Sequence, residues 1–187
     1  MNIDEIIKNR RATPPRFLLN EKVDKDKISR MLENANWAPT HKETEPWRFI
    51  VSQEEKKDEL AQDVFSYLQE KSNSGEEVNM QKAVKFRDNL SRVPVAIAII
   101  MQRDEAKRIP EWEEVAAVSM AVQNMWLTAT EMEMGAFWAS PPFLPLLHNI
   151  LGLKPGQKLL GFFFVGNISV DFPSPGRGPV EEKVEWR

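Results

Sequence analysis

The chain has 187 residues, 42% of them hydrophobic, which is enough for one full core and gives no sign of a second. Its net charge of -3 and pI near 5.6 argue against nucleic acid as a partner, because polyanions bind basic surfaces. Having no cysteine, it forms no disulfide, thiolate metal site or cysteine nucleophile.

The chain shows no membrane or export signal. Its longest apolar runs, residues 93–101 and 159–165, are far shorter than the roughly 20 residues that span a bilayer. The N-terminus is charged, without the apolar segment of a signal peptide. We therefore expect a single cytoplasmic domain over residues 1–187 that does not associate with membranes.

The first helix is short and is followed by a basic cluster. Asn2 can cap a helix whose apolar side is Ile3, Ile6 and Ile7. Residues 8–16 then carry four positive charges and no acidic residue, in a chain that is net negative. Cations suit the C-terminus of a helix, but arginines also grip phosphate, and the pattern leaves both interpretations open.

A second helix and a first strand flank a linker. Asp24 precedes a helix with its apolar face at positions 28, 31, 32 and 35, and Pro39 ends that helix. The strand begins at Trp47. We interpret the linker between them, which carries His41, as a fixed segment forming one wall of a ligand site. Alternation of His41, Glu43 and Glu45 also permits a metal site, a weaker alternative because further ligands are missing.

Residues 54–90 are highly charged. They predict one amphipathic helix, a turn at residues 72–75 and a second helix. We interpret this segment as a mobile cover outside the core. The continuous apolar run at residues 93–101 predicts a central strand buried on both faces.

The longest predicted helix runs from Glu111 to about Met134 and is apolar nearly all round, so it should be buried between two surfaces. In so small a domain, the second surface points to another subunit. We interpret its Met and Trp residues as packing. A short strand at residues 136–139, a helix at 143–151 and a buried strand at 158–165 should follow, then a proline-rich tail that wraps over another surface.

Familiar nucleotide and hydrolase motifs are absent. There is no GxGxxG, no GxxxxGK[ST] and no GxSxG sequence. What remains is the N-terminal arginines, the His41 linker, Trp138 and Arg177. Together these groups suit a flat, anionic cofactor.

These residues give the chain its resemblance to the nitroreductase-like family of flavoproteins, nearly end to end. The triplet Arg10-Arg11-Ala12 resembles the family's opening Arg-Arg-Ser motif. Residues 37–49 are similar to its Ala-Pro and Pro-Trp-Arg-Phe segment, the most specific match. Residues 135–140 and the tail from Pro173 to Trp186 resemble its later flavin-contacting stretch and closing arm.

The resemblance implies an α+β fold with a mainly antiparallel central sheet flanked by helices. It further implies an intertwined homodimer, with FMN at the subunit interface and residues 167–187 as an arm on the partner subunit. NADH or NADPH would reduce FMN, which would then reduce a small nitroaromatic, quinone-like or similar substrate in a ping-pong cycle. No side chain is needed as a catalytic group, because the chemistry is carried by FMN.

The resemblance also assigns the FMN-binding residues. Arg10 and Arg11 would hold the phosphate or the pyrimidine edge, with the backbone of Ala12 beside them, and Arg177 would reach the phosphate. His41 and Glu45 would contribute from the other subunit. The remaining assigned residues line the ring through their backbone; these are Trp138, Ala139 and Ser140.

The chain departs from the family pattern at three places. Ala12 lacks a serine hydroxyl, Glu45 replaces an amide that could donate to the ring, and Ser140 begins a Ser-Pro-Pro sequence where many members have a glycine pair. Two alternatives to the enzyme therefore stay open: a flavin-binding storage, sensing or flavin-modifying protein, and a dimeric interaction protein that has lost its cofactor.

Overall fold

The structure, a computed structural model, describes residues 1–170 and 176–187. These residues form five α-helices and four β-strands. The helices are α1 Ile3–Asn9, α2 Lys25–Ala35, α3 Glu54–Asn73, α4 Met80–Arg92 and α5 Glu111–Glu131; the strands are β1 Trp47–Gln53, β2 Val95–Gln102, β3 Met134–Ala139 and β4 Gln157–Asn167.

One antiparallel sheet in the order β1-β2-β4-β3 forms the centre of the fold. β2 is almost wholly buried, as its continuous apolar sequence predicted, and β4 lies beside it. The expected α+β architecture with a mainly antiparallel sheet is therefore confirmed. β3 and β1 are the two edge strands of this sheet.

Helices cover both faces of the sheet. Alternate residues of β4 point to opposite sides, so that Phe163 packs with α2 and α5, while Phe162 and Phe164 pack with α3 and α4. Each face thus carries its own apolar core, and the sheet separates the two.

The expectation that residues 54–90 lie outside the core is wrong. Leu68 of α3 and Leu90 of α4 are fully buried, and Phe86 contacts Phe162 and Phe164 with ring centroids 5.0 and 6.0 Å apart. The sparse apolar positions of this segment suffice because they share one side of each helix. Whether these helices also move remains a prediction.

Caps explain where several helices begin. Asn2 Oδ1 accepts from the Glu5 N–H at 3.0 Å and Glu5 Oε2 accepts from the Asn2 N–H at 2.9 Å, a complete capping box. Pro110 precedes α5, which ends at Glu131, slightly earlier than expected. The helix predicted at residues 143–151 is only a 3₁₀ turn at Leu144–His148, whose second residue is Pro145.

Within one chain, α5 is buried on one side only. Met125 and Ala129 are inaccessible, whereas Met120 is 40% exposed and Trp112 68%. The second surface expected over α5 is not provided by this chain. Its assignment to a partner subunit stays a prediction.

The C-terminal tail does not join either core. Residues 176–187 are exposed throughout, Trp186 by 92%, and contain a 3₁₀ turn at Val180–Lys183. Pro173 and Pro175 of the proposed arm lie outside the described residues. No helix in the described part of the chain is long and apolar enough to cross a membrane.

Candidate functional site

The basic cluster after α1 is organised by Trp126 of α5. The guanidinium carbon of Arg10 lies 4.8 Å from the centroid of the Trp126 ring, a cation–π contact. The same indole packs edge-on against Phe163 of β4, with centroids 5.5 Å apart. Arg10 is therefore held against the core by a residue whose place in the apolar pattern of α5 had indicated packing alone.

Arg11 has a different role from Arg10. Its Nη1 donates to the carbonyl oxygens of Lys8 and of Arg10, the latter at 2.7 Å, so it caps the C-terminus of α1. Its own carbonyl accepts from Nε1 of Trp126 at 2.8 Å. Its Nε is buried without an acceptor among the described residues. Of the two interpretations of the cluster, helix capping fits Arg11 and anion binding fits Arg10.

Like charges surround Arg10. Its pKa is lowered, first by burial, then by the charge of Arg177 and then by that of Arg11. Within the described residues Arg10 forms no ion pair. A bound anion would relieve this repulsion, so the arrangement favours a negatively charged ligand.

The segment after Arg11 runs along the edge strand β3. Ala12 pairs with Ala136, and the Thr13 N–H donates to the Ala136 carbonyl at 2.8 Å. Gly135 permits this approach, because a Cβ there would lie 2.9 Å from the Thr13 side chain. Ala12 itself is exposed at this edge.

A groove of about 810 Å³ opens beside the same edge. It lies between the N-terminal segment, α4 and the residues that follow β3. Ala139 and Ser140 are both in its wall. The structure therefore places two of the three predicted ring-lining residues in one groove.

Trp138, the third of these residues, lies on the other face of the sheet and packs with the α2 and α5 core. Its Nε1 donates to the Leu160 carbonyl at 3.3 Å. Gly161 has φ +150, and a Cβ there would come within 2.3 Å of that nitrogen. The Trp138 side chain is thus a fixed packing element, and any contact that it makes in the groove is through its backbone.

Two close polar contacts fix the linker before β1, one to α5 and one within the linker. His41 Nδ1 lies 2.6 Å from Glu113 Oε2 at the start of α5, and the Glu45 N–H donates to Thr40 Oγ1 at 3.1 Å. Lys42, Glu43 and Glu45 have positive φ values of 52, 54 and 39, which are strained for residues with a side chain. Strain of this kind collects at functional sites.

The side chain of Arg48, three residues after Glu45, is directed to the backbone and not to the Glu45 carboxylate. Arg48 Nη1 donates to the backbone oxygens of Glu45 and Trp47, at 2.8 and 2.7 Å. The Glu45 carboxylate is exposed and, within the described residues, accepts no hydrogen bond from Arg48.

One subunit does not bring all the predicted residues together. His41 and Glu45 precede edge strand β1, whereas Arg10 and Ala12 lie near the opposite edge at β3. At about 4.8 Å per strand, the two edges are roughly 14 Å apart. No group of three His, Asp or Glu residues in the described part of the chain is arranged to hold a metal ion.

Comparison with known proteins identifies the family. The model of the nitroreductase family matches residues 7–167. YfhC of Bacillus subtilis, provisionally named an NAD(P)H nitroreductase, is 34% identical over 165 residues, covering 87% of this chain and 82% of its own. The chain therefore belongs to the nitroreductase family.

Solved structures share the fold. A nitroreductase-like family protein from Bacillus cereus matches with a TM-score of 0.83 and 27% identity, over 100% of this chain and 96% of its own. A provisionally named nitroreductase from Desulfovibrio desulfuricans, solved in complex with FMN, matches with a TM-score of 0.75 and 20% identity, over 100% and 97%.

Proposed function

We propose that this member of the nitroreductase family is a homodimeric, FMN-dependent oxidoreductase that uses NADH or NADPH to reduce small nitroaromatic, quinone-like or similar oxidised substrates. The observation that carries the proposal is the clustering of Arg10, Arg11 and Arg177 in a chain that is net negative. The name of YfhC supports the reductant, and the FMN in the Desulfovibrio protein supports the cofactor.

The residues present fit the chemistry of FMN. Its phosphate carries negative charge, which would relieve the repulsion that Arg10 experiences from Arg177 and Arg11. Its flat ring needs a concave, largely apolar surface, and the groove lies within the usual size of ligand sites, about 300–1,000 Å³. The same groove contains Ala139 and Ser140.

We therefore assign the phosphate to Arg10 and Arg177, and a supporting role to Arg11, which fixes the end of α1. The backbone of Ala12 and of residues 138–140 would contact the ring. His41 and Glu45 would reach the same site from the partner subunit, because they lie at the far edge of their own sheet. A partner arginine beside Glu45 would offset its carboxylate, which cannot donate to the ring when ionised.

When bound, FMN would supply the redox chemistry, taking a hydride from NADH or NADPH and then passing two electrons to the oxidised substrate in a second, ping-pong half-reaction. The chain's own residues bind and orient. The positive charge of Arg10 would hold the phosphate and so help to fix the position of the ring. Because Trp126 holds Arg10 in place, the charged side chain of Arg10 would need little rearrangement when the ligand binds.

The proposal is tested by reconstitution. The purified protein is mixed with FMN, separated from excess on a sizing column and examined by absorbance. About one FMN per chain at dimer size is expected, and a colourless protein would refute the flavoenzyme. Stopped-flow reduction by NADH and by NADPH then separates the enzyme from a storage or sensing protein, since only the enzyme should be reduced rapidly.

A further inference from the structure

We propose that the groove beside β3 selects oxidised acceptors that carry an acidic group, so that carboxylated aromatic compounds are preferred over neutral ones. This inference rests on the proposed function, which it makes more specific. Its basis is the positive charge on the α4 side of the groove. The side chains that carry this charge are not among the residues that we assign to FMN binding.

The groove is basic although the protein is acidic. Its described lining includes four cationic side chains, Arg16, Lys82, Lys85 and Arg92, against one carboxylate, that of Asp88. Moreover, the Asp88 carboxylate already accepts from Nη2 of Arg87 at 2.7 Å. The positive charge of the groove is therefore scarcely offset from within.

These cations are not neutralised by acidic partners in the described part of the chain, although the guanidinium carbon of Arg16 also lies 4.5 Å from the ring centroid of Phe17. None of the four forms an ion pair there. Elsewhere on the surface lysines do find partners; Lys56 pairs with Glu59 at 2.6 Å and Lys71 with Glu76 at 2.6 Å. Lys82, Lys85 and Arg92 share one side of α4, because residues three or four apart on a helix are neighbours.

The rest of the lining suits an aromatic ring. Pro141 and Pro142 follow Ser140 on one side, Pro14 and Pro15 lie on another, and Phe137 contributes to the wall. A flat acceptor on this apolar surface would lie beside Ala139 and Ser140, where we place the flavin ring. An acidic substituent on it would then reach the cations of α4, whose long side chains adapt to its position.

The test compares two acceptors of similar shape, 4-nitrobenzoate and 4-nitrobenzamide, with the FMN-loaded dimer. We expect wild type to favour the benzoate in kcat/KM. The double variant Lys82→Gln/Lys85→Gln should lower the benzoate-to-benzamide ratio by at least about fourfold, since exposed charges contribute about twofold or more each. Glutamine keeps the helix propensity of lysine.

A matched control is Lys25→Gln/Lys27→Gln on α2, which removes the same charge from the opposite face of the sheet. It should leave the ratio unchanged. Binding of the unreactive pair benzoate and benzamide, measured by calorimetry, should follow the same pattern, and salt should weaken only benzoate binding.

The outcomes separate the two proposals. A protein without FMN or turnover refutes the proposed function. A protein that turns over normally, but whose ratio is equal in both double variants, overturns only the groove's selectivity. An increase in KM for NADPH alone in Lys82→Gln/Lys85→Gln also overturns it, because the cations would then serve the reductant.

Discussion

At the scale of single residues, the arrangement depends on Trp126, which contacts both arginines of the cluster. Its ring lies under Arg10 and its Nε1 donates to the Arg11 carbonyl. Trp126→Phe keeps a ring but loses the donor and weakens the cation–π contact. We expect FMN to bind about three- to tenfold more weakly with little loss of stability, as measured by fluorescence titration and thermal unfolding.

Arg10 and Arg11 should respond differently to truncation. Arg10→Ala removes a charge that we assign to the phosphate and should weaken FMN binding about 10- to 100-fold. Arg11→Ala removes the cap on α1 and should instead cost about 1 kcal/mol of stability with a smaller effect on FMN. Equal losses of FMN affinity would contradict this division of roles. Arg30→Ala on α2 is the control.

Asp104 makes folding sensitive to acid. Its carboxylate accepts from the side chain and backbone N–H of Arg108, which lowers its pKa from 3.8 to about 2. A group whose pKa is depressed by folding contributes stability above its ordinary pKa, and that contribution is lost as the pH falls toward 2. Asp104→Asn should therefore flatten the decline in Tm between pH 4 and pH 2. An unchanged slope would argue against this ion pair.

At the scale of elements, a buried ion pair ties the loop after β2 to α5. Glu114 is fully buried and accepts from Arg103 Nη1 and from the Asp104 N–H, the latter at 2.7 Å. Arg103 Nη2 also donates to the Ile109 carbonyl at 2.7 Å. The loop and the start of α5, which carries the Glu113 partner of His41, are therefore held as one unit.

Breaking this pair should be costly. Glu114→Ala leaves Arg103 without its carboxylate in a partly buried position, and we expect a loss of about 3 kcal/mol in the free energy of unfolding by denaturant. Glu111→Gln, which breaks the exposed pair with Lys158, is the control and should cost less than about 1 kcal/mol. A loss that small in Glu114→Ala would mean that the loop is not anchored there.

Element type was predictable wherever the local pattern was strong. Continuous apolar runs gave β2 and β4, and prolines or cap residues gave the starts of α1 and α5. The burial of α3 and α4 could not be predicted. It depends on which side chains of the helices pack against which side chains of the sheet, and the local sequence pattern does not specify these contacts. The prediction of a helix at residues 143–151 was wrong for a related reason, since an apolar pattern cannot distinguish a helix from a 3₁₀ turn.

The site was predictable only in part for the same reason. Charge pattern and resemblance singled out Arg10, but no feature of the pattern indicated that Trp126 lies beneath it rather than in the core. Nor could it separate Arg11 from Arg10, because adjacent arginines look equivalent until the end of α1 is known. The basic side of α4 was missed as well, since its lysines resemble any solvated helix face.

At the scale of the whole molecule, one chain leaves apolar surface uncovered. Met120 and Trp112 of α5 and Val180, Val184 and Trp186 of the tail are all exposed. The proposed homodimer would cover them. Trp186→Ala should therefore weaken dimerisation by at least about tenfold, measured by sedimentation, because burial of each indole is worth a few kcal/mol. A dimer of unchanged strength would place the tail outside the interface.

FMN sites that are shared between the two subunits of the dimer lead to a stronger prediction. We propose that Arg10 and Arg177 act in one subunit while His41 and Glu45 act from the other, so the variants Arg10→Ala and His41→Ala/Glu45→Ala should complement each other. Each homodimer would have two defective sites. In a heterodimer, by symmetry, one site carries both defects and the other none. Co-expression with two different tags allows that heterodimer to be purified.

The heterodimer should bind about one FMN per two chains and recover about half of the wild-type turnover. If all four residues instead served one site within a single chain, every site of the heterodimer would still carry a defect. FMN content and turnover would then stay as low as in the homodimers. If the variant His41→Ala/Glu45→Ala by itself bound FMN normally, the linker would not be part of the FMN site. A single chain could then form the site without its partner.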